Sequence, residues 1–160
     1  MFRVLDIIKG TTVDGPGFRT SIYLAGCHHN CVGCHNPQSR DPEGGVPMSL
    51  KEIMEVVSEE DFNVTLSGGD PLYNPVSLQI LVKAIKENRR NLWIYTGYTW
   101  EEIIKNQLFL KAVKEADVIV DGPFMEELKD SDLLFRGSSN QRIIDIKKSL
   151  EAGSIVLWGR

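Results

Sequence analysis

Phe62-Asn63-Val64-Thr65-Leu66, then Ser67-Gly68-Gly69-Asp70, then Asn74-Pro75 with Leu78, Leu81, Val82 and Ile85 behind it, reads as one strand, one tight turn and one helix in succession. The apolar, β-branched run is strand-like and the paired glycines break it. Asn74 and Pro75 supply an N-cap and a first helical position, and the apolar residues that follow recur at helical spacing. The pattern repeats on both sides. Upstream, Arg19 to Ala25 alternates and turns apolar at Ile22, Tyr23 and Leu24, while Ser49-Leu50-Lys51-Glu52 is a capping box ahead of a helix that buries Ile53, Met54, Val56 and Val57. Downstream, Leu92 to Tyr95 is a strand and Thr99 with Glu102 opens a helix. Asp117 to Val120 is a buried-type strand ending at Asp121-Gly122-Pro123, and Arg142 to Ile146 and then Ile155 to Trp158 complete the series.

Strands alternating with helices imply right-handed crossovers and a parallel sheet. The chain has 160 residues, one domain's length, so a single domain over residues 1–160 is expected. Five or six units fall short of the ~250 residues a closed eight-unit barrel takes. An open doubly wound α/β sheet and an incomplete (β/α) barrel both satisfy the periodicity. In either, the loop after Ala25, Gly68-Gly69, Thr96-Gly97 and Asp121-Gly122-Pro123 follow the carboxyl ends of strands, where such sheets build their sites.

A net charge of -4 leaves no basic footprint for nucleic acid. No apolar run approaches a membrane span, and Met1 to Ile8 carries Arg3 and Asp6 inside a run too short for a signal peptide. The expectation is a soluble cytoplasmic protein with small-molecule or protein partners, and no nucleic acid or membrane.

The three cysteines sit in one loop, Cys27-His28-His29-Asn30-Cys31-Val32-Gly33-Cys34, a C-x3-C-x2-C run just after an apolar strand. A cube of four irons normally takes four thiolates, so three leave one iron open to another ligand. Other chemistries use the same letters. Three thiolates with His28, His29 or His35 would make a closed tetrahedral zinc site. Cys31-Val32-Gly33-Cys34-His35 spells the C-x-x-C-H of c-type haem attachment, which leaves Cys27 unexplained. The odd count speaks against a disulfide framework. The turn Ser67-Gly68-Gly69-Asp70 exposes backbone at a strand end, as a ligand site or a plain strand-to-helix turn would.

In its spacing the cysteine run resembles the signature of the radical S-adenosylmethionine enzymes, and Ser67-Gly68-Gly69-Asp70 resembles their Gly-Gly-acid motif, with Asp70 where Glu is common. A narrower likeness rests on Asp14-Gly15-Pro16-Gly17-Phe18-Arg19, Cys34-His35-Asn36, Trp93-Ile94-Tyr95-Thr96-Gly97-Tyr98, Asp121-Gly122-Pro123-Phe124 and Arg136-Gly137-Ser138-Ser139-Asn140-Gln141-Arg142. Together, from Val13 to Trp158, these look like the glycyl-radical-enzyme activating family, in the branch that serves anaerobic ribonucleoside-triphosphate reductases.

That resemblance implies an incomplete (β/α) barrel of five to six parallel strands and an oxidoreductase that uses a 4Fe-4S cluster and S-adenosyl-L-methionine. A 5'-deoxyadenosyl radical would abstract hydrogen from a glycine of the reductase large subunit, with flavodoxin or ferredoxin as reductant and with inactivation in air. By position, Cys27, Cys31 and Cys34 would ligate the cluster. Gly33, Cys34, His35, Ser67, Gly68, Gly69, Asp70, Thr96 and Asp121 would meet the cofactor, and Asp14, Gly15, Pro16, Gly17 and Arg19 would meet the partner. Gly33 stands where many members carry an aromatic residue.

Asp121 reads equally as a turn-satisfying strand end. Arg136 and Arg142 suit a carboxylate of the cofactor, a partner group, or solvent. His28 and His29 are expected to be solvated, and Trp93, Trp100 and Trp158 to be core or interface anchors. Rival functions are activation of another glycyl-radical enzyme such as pyruvate formate-lyase, small-molecule radical chemistry like that of the 7-carboxy-7-deazaguanine synthases, and a non-catalytic zinc module.

Overall fold

The computed structural model describes residues 1–29, 31, 33 and 37–159. In chain order it runs β1 (Phe2–Thr11), β2 (Arg19–Leu24), a 3-10 turn (Pro37–Arg40), β3 (Val46–Met48), α1 (Leu50–Glu59) and β4 (Asn63–Gly68). A second 3-10 turn (Pro71–Tyr73) precedes α2 (Pro75–Glu87), β5 (Leu92–Tyr95), α3 (Trp100–Ile104), α4 (Gln107–Val113) and β6 (Val118–Asp121). A third (Glu126–Leu128) precedes β7 (Arg142–Asp145) and α5 (Ile146–Ala152).

Local signals decide the helix starts. Ser49 accepts from the Glu52 amide while the Glu52 side chain accepts from the Ser49 amide, and Thr99 and Glu102 close the same reciprocal box on α3. Asn74 caps α2 at the Ser77 amide, with Pro75 in its first turn. The helix expected after Thr99 is two, because the Asn106 side chain accepts from the amides of Leu108 and Phe109 and starts α4 afresh.

The sheet has seven strands in the order β3-β1-β2-β4-β5-β6-β7. This corrects the expected barrel of five to six parallel strands. Only the pairings β2–β4, β4–β5 and β5–β6 are parallel; β1 is antiparallel to β2 and to β3, and β7 is antiparallel to β6. The reason lies in the connections. Parallel neighbours need a crossover of a dozen or more residues, and α1, α2 and the α3–α4 pair supply those crossovers. Neither residues 12–18 nor residues 122–141 contain an α-helix, so the strands they join turn back on their neighbours. The class is still α/β, but the sheet is mixed and runs from edge to edge. Ile155 to Trp158 adds no strand beyond a single bridge between Leu157 and Ile144.

Side-chain alternation gives the sheet two unlike faces. Ile22, Val64, Leu66, Leu92, Ile94, Ile119 and Ile144 point one way into the main core, joined there by the buried residues of all five helices. The other face carries a small cluster of Trp93, Val118 and Val120, packed by Tyr95, Phe135 and Ile143 and edged by Trp158, whose ring centroid lies 5.0 Å from that of Trp93. Helices therefore cover one face only, and residues 12–18 and 122–141 close over parts of the other. Trp93 and Trp100 are core anchors as expected.

Arg19 is the exception on that second face. It is 1% exposed, with its side chain taken up by the protein's own groups. Its guanidinium donates to Thr65 Oγ1 at 2.8 Å, Val64 O at 2.8 Å, Pro16 O at 3.1 Å and Asn91 Oδ1 at 2.9 Å, and lies 5.6 Å from the Trp93 ring centre. It holds the turn at Asp14–Gly17 down on the sheet. Gly15 is buried beneath that turn, and a Cβ there would fall 2.9 Å from Arg19 Cδ. Replacing Arg19 by Met should leave several buried carbonyls without donors and lower stability by about 3 kcal/mol, read as a drop in the urea midpoint at unchanged slope.

Candidate functional site

The site is made where the parallel strands end. A cavity is lined by Cys27, His29 and Cys31 from the loop after β2, by Ser67, Gly68 and Gly69 from the end of β4, and by Tyr95, Thr96 and Gly97 from the end of β5. Gly122 and Phe124 after β6, with Gln141, complete the wall. Four separated motifs thus converge on one rim. Cys34 and His35 lie outside the described residues.

The glycines have work to do before any ligand is considered. Gly68 has φ +115°, and a Cβ on it would run into the backbone of Leu24; one on Gly69 would run into the carbonyls of Gly26 and Ser39. Free of side chains, the β4 end continues its pairing with β2 one step beyond the sheet. Gly69 N donates to Leu24 O at 2.8 Å and Asp70 N to Gly26 O at 2.7 Å. Gly26, with φ +101°, sits under the Tyr73 ring and donates to Ser39 O at 2.7 Å. Sequence reading missed Gly26, yet this is where the cysteine loop leaves the sheet. Cys27 N then donates to Arg40 O at 3.3 Å, and Arg40 Nη2 to Cys31 O at 3.4 Å.

Asp70 does not line this cavity; it is 1% exposed. Its carboxylate accepts from Leu72 N at 2.9 Å, Thr96 Oγ1 at 2.9 Å, Gly97 N at 2.9 Å and His29 Nε2 at 2.8 Å. His29 is therefore a partner of a buried acid, against its expected solvation. The Asp70 hydrogen bond raises its pKa and burial opposes that rise. His28 is exposed and stacks on Tyr73 at 4.4 Å between ring centres.

Asp121 is also turned inward. It is wholly buried and accepts from Trp100 N at 2.8 Å, Arg142 N at 3.1 Å and the Arg142 guanidinium at 2.5 Å. Its oxygens are taken by these donors, and it is not among the residues that line the cavity. Arg142 in turn is paired with Asp121 and Glu101, and is no open carboxylate receptor. The Arg136 to Arg142 stretch is a clamp on the exit of β6. Asn140 Nδ2 donates to Pro123 O at 2.8 Å, Gln141 Nε2 to Gly122 O at 3.1 Å, and Arg136 Nη1 to Gln141 O at 3.0 Å.

At Gly33, φ is +76° and the Glu126 carboxylate lies where a side chain would project. The left-handed φ, invisible to motif reading, is thus a reason for glycine where an aromatic residue is common. In the turn before β2, Asp14 accepts from Tyr23 Oη at 2.5 Å and its carbonyl from Thr65 Oγ1 at 2.7 Å. Pro16 is half-buried, while Gly17 and Phe18 are exposed, Phe18 to 62%.

A family model described as a 4Fe-4S single cluster domain matches residues 13–144, from the turn before β2 to β7, and defines the class. Proteins named anaerobic ribonucleoside-triphosphate reductase-activating protein align over most of the chain. The one from Escherichia coli K12 is 35% identical over 142 residues, 81% of this chain and 89% of that protein. The one from Haemophilus influenzae is 33% identical, covering 82% and 90%, and that of phage T4 is 34% identical, covering 82% and 86%. The chain belongs to the family of anaerobic ribonucleoside-triphosphate reductase-activating proteins. Among the described residues, no helix is long and apolar enough to cross a membrane.

Two outcomes follow from the Asp121–Arg142–Glu101 group. Asp121→Asn should cost about 3 kcal/mol in urea unfolding, since it removes one charge of a buried pair, read as a lower midpoint at unchanged slope. The Arg142 hydrogen bond holds the Glu101 carboxyl below its ordinary value of 4.5. Its contribution is therefore present above pH 4.5 and lost as pH falls through the lowered value. Because Glu101 is half exposed, apo wild type should exceed apo Glu101→Gln by at most about 1 kcal/mol, and that gap should close in acid.

Proposed function

We propose that this protein is a radical S-adenosylmethionine activase that installs a glycyl radical on the large subunit of an anaerobic ribonucleoside-triphosphate reductase. The observation that carries the reading is the meeting, in one cavity, of Cys27 and Cys31 with the backbone of Ser67–Gly69 and Thr96–Gly97, in a chain of the activating-protein family. The donor set fits an iron-sulfur cluster. Cys27, His29 and Asp70 do bring ligand atoms within 4.8 Å of one another. However, Asp70 already accepts from His29, Thr96 and Gly97, which leaves thiolates as the donors facing the cavity.

In this reading Cys27, Cys31 and Cys34 hold three irons of a 4Fe-4S cluster and leave the fourth for the amino and carboxylate groups of S-adenosylmethionine. When both are bound and an electron is supplied by a flavodoxin or ferredoxin, they provide a carbon radical that takes a hydrogen atom from a glycine alpha carbon. The protein's own contribution is placement. Ser67 to Gly69 and Thr96–Gly97, which line the cavity, offer carbonyls, amides and the Ser67 hydroxyl to the methionyl end. Asp70 holds Thr96 and Gly97 in place from behind. Gly17 and Phe18, exposed on the turn carried by Asp14, Gly15, Pro16 and Arg19 at the amino end of β2, give a partner chain surface to meet. Holding the reacting atoms in contact while shielding them from water and oxygen is the remaining task.

Anaerobic reconstitution with iron and sulfide, followed by reduction and addition of S-adenosylmethionine, should yield 5'-deoxyadenosine. It should also yield a glycyl signal by electron paramagnetic resonance once the reductase subunit is added. Each of Cys27→Ala, Cys31→Ala and Cys34→Ala should abolish both products, and exposure to air should do the same. A chain isolated with one zinc and no acid-labile sulfide would overturn the reading. Cleavage without a glycyl signal would redirect it to another substrate.

A further inference from the structure

The loop between Cys27 and Cys31 is tied to the rest of the protein by contacts of unequal quality. The bonds from Cys27 N to Arg40 O and from Arg40 Nη2 to Cys31 O are long, at 3.3 and 3.4 Å. The bond from His29 to Asp70 is 2.8 Å and ends on a carboxylate that is 1% exposed. Charge-assisted bonds in a water-poor site are the strong ones, and His29 stands midway between the two cysteines in sequence.

The imidazole also has a fitted seat. The Tyr98 ring meets it edge-on at 4.5 Å between centres. Gly97 must lack a side chain to admit it, since a Cβ there would fall 2.6 Å from His29 Cδ2. Asp70 forms the floor and is itself pinned by Leu72 N, Thr96 Oγ1 and Gly97 N. Seat and floor are therefore built from the ends of β4 and β5, the same backbone that lines the cavity.

We propose that His29 is a positioning residue: bound to Asp70 and seated between Gly97 and Tyr98, it sets where the Cys27 and Cys31 thiolates stand relative to the Gly68–Gly69 and Thr96–Gly97 backbone. Its role in catalysis rests on the activase reading, because it fixes the geometry in which a cluster on the thiolates meets S-adenosylmethionine on the strand ends. Its role as a tether does not.

The tether is tested first on reduced apo protein, by mass-spectrometric rates of iodoacetamide alkylation at Cys27 and Cys31. His29→Ala should speed alkylation about threefold or more, as expected for a loop released to open locally. His29→Gln, whose amide nitrogen reaches about as far as Nε2, should stay close to wild type. The reconstituted proteins are then compared for iron per chain, for the cluster's electron paramagnetic resonance with and without S-adenosylmethionine, and for 5'-deoxyadenosine formation. His29→Ala should bind wild-type iron, show a broadened response to S-adenosylmethionine, and lose about tenfold or more in turnover, the scale of a small misplacement of reacting atoms. His29→Gln should recover most of that loss.

Equal alkylation of His29→Ala and wild type would overturn the proposal, as would a failure of His29→Gln to rescue either readout. If wild type itself does not cleave S-adenosylmethionine, the activase reading falls, while the alkylation result still decides the tether.

Discussion

Three backbones meet with no side chain between them at the carboxyl ends of β2 and β4, and the rest of the site depends on that approach. Leu24 and Gly26 on one side face Gly68, Gly69 and Asp70 on the other, with Ser39 closing from the 3-10 turn. The bonds are ordinary amide bonds of 2.7 and 2.8 Å. What is demanding is the distance, because a β-carbon at Gly68 or Gly69 would coincide with neighbouring backbone atoms. Once the approach is made, the first cysteine is fixed one residue beyond Gly26 and the Asp70 side chain is driven inward. A buried carboxylate must then find donors. It takes them from β5 through Thr96 and Gly97, and from the cysteine loop through His29. One steric condition thus organises three strand ends.

The mixed sheet follows from where amphipathic helices are available. Each parallel pairing is spanned by α1, by α2 or by α3 with α4, and all of these lie on the same face, as right-handed crossovers in one direction require. The opposite face is left to polar side chains and a small aromatic and aliphatic cluster. Its small cluster around Trp93 is covered by residues that return from the 122–141 segment and from Trp158. Arg19 belongs to this face too. A buried guanidinium is tolerated because carbonyls, a hydroxyl and an amide oxygen surround it, and through Pro16 O it fastens the turn that borders the open side.

Features decided within a few residues were legible in the sequence. Ser49 with Glu52, Thr99 with Glu102, and Asn74 with Pro75 are local devices, and each stands where its letters put it. So was the convergence of the motifs after β2, β4, β5 and β6, because strand polarity in βαβ units carries successive loops to one rim. Strand direction at the two sides of the sheet was not legible. The strands at Phe2 to Thr11 and Val46 to Met48 were missed outright, and nothing within Arg142 to Asp145 distinguishes a parallel strand from an antiparallel one; the difference lies in what the linking segment lacks. Charged residues were misjudged for a related reason. Asp121 and Arg19 look like surface groups in a sequence, and only the three-dimensional neighbours Arg142, Trp100, Thr65 and Asn91 make their burial affordable.

The glycines carry the same lesson a step further. Gly68, Gly69, Gly97 and Gly33 are alike as letters, and a motif reading assigns Gly33, Gly68 and Gly69 to ligand contact. In the fold each answers to a different constraint: the β2 backbone for Gly68, the Gly26 and Ser39 carbonyls for Gly69, the His29 ring for Gly97, and its own φ of +76° for Gly33. A bare backbone facing a cavity is thus the consequence of packing on its other side. That makes the motif doubly constrained. Adding a side chain disturbs the protein's own contacts whether or not a ligand is present, so loss of activity at these positions does not by itself identify a ligand contact. Ser67 also lines the cavity and carries a side chain, so a substitution there reports on binding more directly, whereas the Thr96 hydroxyl is committed to Asp70.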